Sequence, residues 1–454
     1  MDELMQGFES DGMRTNLHPI AIIVVTVLCV ATILMNYRYI VIPFILITCF
    51  ISSSQRIEIL GFEFNMIRIM AVVAIVKLML DGAQIPTIRI QKIDMFIILY
   101  IAMQIITNYL RNGAVEKNVL GKCFDMFSLY FVFRVVIRSF ADIRRIVLSV
   151  AVISIPVAIC FMIEKATGRN FFSIFGGVPL YSLVRNGRLR CTGAFSHPIM
   201  AGCFFASAVP LLMTEALKLH SKKILFYTSL GSAFVIIALT ASSTPLIALA
   251  VGVTGVVLYK YRRYVPILIA LFIILIILNC LRTGKPIWHM LSRIDIVAGS
   301  TGAYREALFD AWVNHVHDWW LLGLNSTATW GTSGFTLMDI TNQYVMETLF
   351  GGLFTLFCFL ITIGIAISAL VNAVDDPALS ENEKRLTWGI VVSLCTHLAS
   401  FFSVSYFGHI YVVWYLMLAL SGSISIRKYG FSETVTLPRK WRRLRKRNLL
   451  SGKS

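Results

Sequence analysis

The chain has 454 residues, of which 57% are hydrophobic and only 14% are charged, and its mean hydropathy is +0.75. So large an apolar excess excludes an ordinary soluble domain and predicts a protein that crosses a membrane several times. The formal net charge of +17 does not indicate nucleic-acid binding, because much of it falls in short loops between apolar segments and in the C-terminal tail.

Thirteen apolar segments are candidates for transmembrane helices, which need about 20 mostly apolar residues. They are residues 18–36, 39–53, 63–80, 93–109, 119–137, 144–163, 198–217, 223–241, 244–260, 264–281, 343–371, 386–404 and 408–425. The segment 39–53 is short and contains Pro43, so it is either a crossing or a re-entrant segment. We predict an all-α polytopic membrane protein with 12 to 13 transmembrane helices, in which residues 1–454 form a single integral membrane domain.

The distribution of Lys and Arg predicts the orientation, because short cytoplasmic loops are enriched in them. The C-terminal segment 427–454 is strongly basic, so we expect it to be a cytoplasmic tail that also contacts anionic lipid. Counting back through the segments places residues 164–197 and residues 282–342 on the opposite face. The interval 282–342 is therefore predicted to be one large extracytoplasmic loop.

The 164–197 loop opposes the charge rule for an outer loop. Against the single acid Glu164 it contains five cations, Lys165, Arg169, Arg185, Arg188 and Arg190. Arginine suits phosphate, because its planar guanidinium stays charged and donates hydrogen bonds as a fork. The alternative for Arg169 and Arg185 is contact with lipid head groups.

The 282–342 interval combines cations with five of the eight tryptophans, which suits a polyanionic ligand that carries sugars. The tryptophans are also compatible with an aromatic belt at the membrane interface. On one helix from Tyr304 to Trp320, a polar arc would contain Glu306, Asp310, Asn314, His317 and Asp318.

Arg305 and His315 would lie inside the apolar arc of that helix, where a charge needs a partner or a ligand. For Arg305 the alternative is a side chain that extends to lipid phosphate. For His315 it is a packed, hydrogen-bonded ring.

The string Arg190-Cys-Thr-Gly-Ala-Phe-Ser-His197-Pro198 leads into an apolar helix and resembles the bacterial O-antigen ligase and polymerase superfamily. Three later features are similar to that family in the same order, namely Ser242-Ser-Thr-Pro245, Arg305 followed by Gly323, and Asn342 followed by Glu347 and Gly351-Gly352. The motifs extend over residues 185–355. The resemblance implies a GT-C-like membrane fold.

The resemblance also implies a function. Members transfer glycans from undecaprenyl diphosphate at the outer face of the cytoplasmic (inner) membrane, and we expect inverting, metal-independent transfer without a cofactor. The implied partners are a lipid-linked oligosaccharide donor, a glycan acceptor and membrane lipids, with a chain-length regulator and a flippase as further candidates, and no nucleic acid. The predicted catalytic residues are Arg190 and Arg305, which clamp the diphosphate, with Asp339 and Glu347. The predicted substrate-binding residues are Arg185, Arg188, His197, His315, Asn342 and Trp312.

One position departs from the family pattern. Ligases carry a His immediately before that Asn, whereas this chain has Thr341, which cannot take up a proton at neutral pH. Either another group is the base, with Asp339, Glu347, His315 and His317 as candidates, or the protein is a polymerase that does not use that His. The polymerase is favoured. A ligase acting on lipid A core or a protein, and a transporter or flippase of lipid-linked sugars, are the alternatives.

Overall fold

The computed structural model describes residues 16–59, 61–82, 89–218, 222–293, 302–331 and 336–425. The predicted tail 427–454 lies outside these ranges, as do residues 294–301 and 332–335 of the predicted loop 282–342.

The described part of the chain is mostly α-helical. The helices are α1 (Pro19–Leu34), α2 (Val41–Phe50), α3 (Met66–Leu80), α4 (Lys92–Asn112), α5 (Lys117–Val136), α6 (Phe140–Thr167), α7 (Pro198–Ala216), α8 (Lys223–Leu239), α9 (Ser243–Val257), α10 (Val265–Thr283), α11 (Gly302–Asn314), α12 (Val316–Trp319), α13 (Gln343–Val374), α14 (Glu381–Phe401) and α15 (Tyr411–Ser425). Short 3₁₀ helices occupy Tyr37–Tyr39, Phe171–Phe175, Leu258–Tyr264, Ile287–Arg293, Ala328–Trp330 and Gly408–Ile410. Two antiparallel hairpins pair β1 (Arg56–Ile59) with β2 (Phe62–Asn65), and β3 (Leu183–Arg185) with β4 (Arg188–Arg190).

Every apolar segment predicted from the sequence contains a helix, so the all-α class is confirmed. Within the described residues, five helical stretches are long and apolar enough to cross a membrane, namely Lys92–Asn112, Phe140–Thr167, Pro198–Ala216, Ser243–Thr283 and Gln343–Val374. The number of crossings stays a prediction. Helix α2 has ten residues and spans about 15 Å, half of a bilayer's hydrocarbon core, as expected for a broken or re-entrant segment.

Helix α7 is the centre of the bundle. It packs against α8, α9 and α14, and nearly all of its side chains are buried. The packing is close, since a Cβ on Gly202 would lie 2.4 Å from the ring of Pro245 in α9. Small residues at helix contacts allow backbones to approach in this way. The residue that precedes α7 is therefore attached to a buried, closely packed helix.

A buried ion pair ties α4 to α5 at the opposite end from the 164–197 loop. Arg134 Nε donates to Asp94 Oδ1 at 3.1 Å, and the Tyr130 hydroxyl donates to the same oxygen at 2.5 Å. Both charged side chains are buried. Removing one partner of such a pair leaves an uncompensated charge.

Residues 302–331 and 336–349 contribute a cap with its own apolar cluster. Its buried members are Leu308, Ala311, Trp319, Trp330, Leu337, Ile340, Val345 and Leu349. The predicted continuous helix from Tyr304 to Trp320 is wrong in one respect, because α11 ends at Asn314 and His315 leaves helical geometry at φ −103° and ψ 26°. The break lets Trp312 and Trp319 stack at 4.9 Å, and Trp319 Nε1 donates to the Trp312 carbonyl.

We expect Asp94→Ala to lower the free energy of unfolding by about 3–5 kcal/mol, because Arg134 would stay buried without its counter-charge. Thermal melting of the purified protein in detergent measures this. The matched control is Asp375→Ala, which removes the exposed partner of Arg262 and should cost less than about 1 kcal/mol. Equal losses in the two variants would contradict the assigned role.

Candidate functional site

The β3–β4 hairpin presents three arginines on one face. Its turn is Asn186-Gly187, where both residues have positive φ, 50° and 72°, as a type I′ turn requires. Arg185 is paired with Arg188, and Leu183 with Arg190. Paired residues and alternate residues of a strand point to the same side, so Arg185, Arg188 and Arg190 share a face. Like charges that lie opposite each other repel, which favours an anionic ligand on this face.

Arg190 is 6% exposed and is held by α8 and α9. Its Nη2 donates to Ser242 Oγ at 2.6 Å, and its Nε donates to the Thr240 carbonyl at 3.4 Å. Burial, reinforced by the charge of Arg185, lowers the pKa of Arg190 to about 10, so it remains a cation at neutral pH. The first and second motifs of the resemblance, Arg190 and Ser242, are thus in direct contact.

Glu164 anchors the loop that carries Arg190. Its carboxylate accepts hydrogen bonds from the backbone N–H groups of Thr192 at 2.9 Å and Gly193 at 3.1 Å, and from the Ser182 hydroxyl at 2.8 Å. Gly193 has φ 62°, and a Cβ there would lie 2.4 Å from the Phe161 ring. Sequence reasoning counted Glu164 only as the lone acid of the loop and missed this role.

Arg305 lies on α11. It is 8% exposed, as the apolar arc predicted, and its Nε donates to the Ser403 carbonyl at 3.2 Å. Burial lowers the pKa of Arg305, Arg185 lowers it further, and Asp339 opposes the shift. Arg185 therefore interacts electrostatically with both Arg190 and Arg305. We call these three residues the arginine cluster.

His197 borders the arginine cluster as the N-cap of α7. Its Nδ1 accepts from the backbone N–H of Ile199 at 3.1 Å, which places the ring proton on Nε2. Burial, followed by the charges of Arg190 and Arg185, lowers the pKa of His197 to about 3. The ring is therefore neutral at working pH and offers one N–H donor.

Asn342 and Asp339 lie where the cap joins α13. Asn342 Oδ1 accepts from the Val345 N–H at 3.0 Å, and its Nδ2 donates to the Phe402 carbonyl at 3.0 Å, so both ends of the amide are used. Asp339 is exposed and close enough to Arg305 to interact with it. The buried hydroxyl of Thr341, the residue at the family's His position, has no hydrogen-bond partner within the described ranges.

Glu347 is separated from the arginine cluster. It accepts hydrogen bonds from the Tyr100 hydroxyl at 2.6 Å and from Gln343 Nε2 at 2.7 Å, and it lines an interior cavity of about 50 Å³ together with Lys122. Gln343 Oε1 accepts from the Tyr406 N–H at 2.7 Å. Residues 402–408, which we call the 402–408 segment, thus connect the Glu347 cavity with Arg305.

The other predicted residues of the large loop belong to the cap. His315 stacks on Trp330 with ring centres 5.6 Å apart, and its Nδ1 lies 3.1 Å from Asp318. Trp312 Nε1 donates to Thr348 Oγ1 at 2.9 Å. The structure does not bring His315 or Trp312 to the arginine cluster through any contact of the described residues. Arg188 is exposed on the hairpin beside it.

Comparison with protein-family models, curated proteins and solved structures finds no match. The resemblance to the O-antigen ligase and polymerase superfamily stays a prediction that depends on the residues described above.

We expect Glu164→Gln to weaken the binding of inorganic diphosphate by the purified protein roughly tenfold, because an amide cannot accept from both backbone N–H groups without facing them with its own N–H. Isothermal calorimetry measures the affinity. Glu116→Gln, at an exposed position, is the control and should bind like wild type. Unchanged affinity in Glu164→Gln would show that the loop does not depend on this carboxylate.

Proposed function

We propose that this protein is a membrane glycosyltransferase of the polysaccharide polymerase type. It would transfer a glycan from undecaprenyl diphosphate to a sugar hydroxyl of a second lipid-linked oligosaccharide, on the extracytoplasmic face of the cytoplasmic membrane. The observation that carries the proposal is the arginine cluster: Arg185 shares a hairpin face with Arg190, its charge acts on both Arg190 and Arg305, and Asp339 interacts electrostatically with Arg305.

A diphosphate leaving group is negatively charged and therefore complements the positive charge of the arginine cluster. In the reaction, the acceptor oxygen attacks the anomeric carbon, the bond from that carbon to the phosphate oxygen breaks, and the diphosphate keeps the electron pair. Negative charge therefore grows on the diphosphate in the transition state. Guanidinium groups already fixed by Ser242 and Ser403 stabilise that charge without reorganising. We propose that they supply the charge that a divalent cation would otherwise supply.

The acceptor hydroxyl must lose a proton, and Asp339 is the best placed of the predicted bases. It is exposed and adjoins Arg305, where the reaction is proposed to occur. Glu347 is buried behind Gln343 and would need a relay. His315 and His317 are each paired with Asp318 in the cap.

A ligase would use the same clamp with a different acceptor, so it remains the alternative. The transporter alternative has less support. Arg68 and Arg134, which lie within the helix bundle, are ion-paired with Asp125 and Asp94, so they do not mark a path for a substrate.

We expect Arg190→Ala and Arg305→Ala each to reduce polymer formation about 10²-fold or more, because each removes fixed positive charge at the leaving group. The measurement is the chain-length distribution of surface and lipid-linked glycans in a deletion strain that carries each variant at equal membrane abundance. Arg190→Lys and Arg305→Lys should restore part of the activity. Arg169→Ala, in the same loop as Arg190 but exposed over Tyr181, is the matched control.

The same strains test the alternatives. Single repeat units in the deletion strain identify a polymerase, whereas long chains that stay on the lipid carrier identify a ligase. Wild-type chain lengths in Arg190→Ala or Arg305→Ala would refute the clamp.

We expect Asp339→Asn to lower the rate of transfer about 10²-fold while leaving the affinity for undecaprenyl diphosphate within about twofold, because a general base acts on the acceptor and not on the leaving group. Single-turnover rates and equilibrium binding, measured on the same purified protein, separate the two effects. Glu347→Gln should keep the wild-type rate if no relay is used. A rate loss in Glu347→Gln but not in Asp339→Asn would identify Glu347, in the cavity, as the base instead of Asp339.

A further inference from the structure

A surface of different chemistry adjoins the arginine cluster along the 402–408 segment. At one end of this segment the Ser403 carbonyl accepts from Arg305. At the other end Phe407 lies beside His197, with ring centres 6.3 Å apart. His197 in turn interacts with Arg190 and Arg185. The surface is therefore continuous with the cluster on two sides.

Two hydroxyl groups form the polar part of this surface. Ser53 Oγ and Ser196 Oγ lie 2.5 Å apart, although 143 positions separate them in the chain, and both residues are partly exposed. Gly408 has φ 65°, and a Cβ there would lie 2.5 Å from Ser196 Oγ and 3.0 Å from Ser53 Oγ. The glycine therefore keeps side-chain atoms away from the hydroxyl pair.

An aromatic ring and a neutral donor complete the surface. Phe407 is 42% exposed, so part of its side chain is accessible. His197 offers its Nε2–H, since Nδ1 is occupied by the Ile199 N–H. Ser53, Ser196, His197 and Phe407 thus combine hydroxyl groups, an uncharged N–H donor and an apolar ring, and none of them carries a fixed charge.

We propose that Ser53, Ser196, His197 and Phe407 form a sugar subsite that binds the sugar attached directly to the diphosphate. A pyranose presents hydroxyl groups at its rim and C–H groups on its faces, which match polar side chains and an aromatic ring, respectively. This inference rests on the proposed function, because the arginine cluster would place the first sugar next to it. It gives the loop that follows α2, around Ser53, a role in substrate recognition.

The test compares two lipids on the purified protein, undecaprenyl diphosphate and the undecaprenyl-diphosphate-linked oligosaccharide extracted from the deletion strain. Wild type should bind the oligosaccharide lipid at least tenfold more tightly. Ser53→Ala with Ser196→Ala, and separately Phe407→Ala, should lose about tenfold of that affinity while binding undecaprenyl diphosphate like wild type. Phe407→Leu serves as a second variant that keeps the apolar volume.

Two matched controls should retain the difference between the lipids: Ser54→Ala, next to Ser53, and Phe171→Ala, an exposed phenylalanine of the 164–197 loop. Equal affinity of wild type for the two lipids, an unchanged difference in the subsite variants, or a parallel loss for both lipids would overturn the subsite. Failure of the proposed function gives another result, namely undecaprenyl diphosphate bound equally well by wild type and by Arg190→Ala.

Discussion

The repulsion of Arg185 against both Arg190 and Arg305 is the constraint on which the site depends. Two of these side chains are largely buried, so each has lost water without gaining a carboxylate hydrogen bond within the described residues. Neutral oxygens hold them instead, those of Ser242 and Thr240 for Arg190 and that of Ser403 for Arg305. Burying two guanidinium groups in this way costs free energy unless an anion is bound. A diphosphate would relieve the repulsion, and more so as its charge grows during bond cleavage.

The helix bundle holds these buried arginines in place. Arg190 lies in a loop that Glu164, at the end of α6, holds through the backbone of Thr192 and Gly193, and that loop leads into α7, most of whose side chains are buried. Arg305 lies on α11, and Leu308 and Ala311 of that helix belong to the apolar cluster of the cap. The two arginines are thus held by different parts of the chain, the loop before α7 and helix α11. Preorganisation of charge in this manner is what electrostatic catalysis requires.

The features that the sequence predicted are those that depend on local hydropathy and residue spacing. The apolar segments predicted the position of every helix of the bundle, and the helical period of about 3.6 residues predicted that Arg305 lies on a buried face. Hydropathy says nothing about contacts between distant segments, so the pairing of Ser53 with Ser196 had no sequence signal. The contact of Arg190 with Ser242 was not predicted, because the sequence supplied only the order of the two motifs along the chain. The break at His315 was missed because the helical period alone does not locate a helix end, and the Trp312–Trp319 stack that accompanies the break is visible only in the folded chain.

The most direct test of the account is a cryo-EM structure of the protein in lipid nanodiscs with undecaprenyl diphosphate bound. The account predicts density for the diphosphate between Arg190 and Arg305, with Arg185 closing on it from the hairpin. Diphosphate density elsewhere, for instance against Lys122 beside the Glu347 cavity, together with an empty arginine cluster, would contradict it.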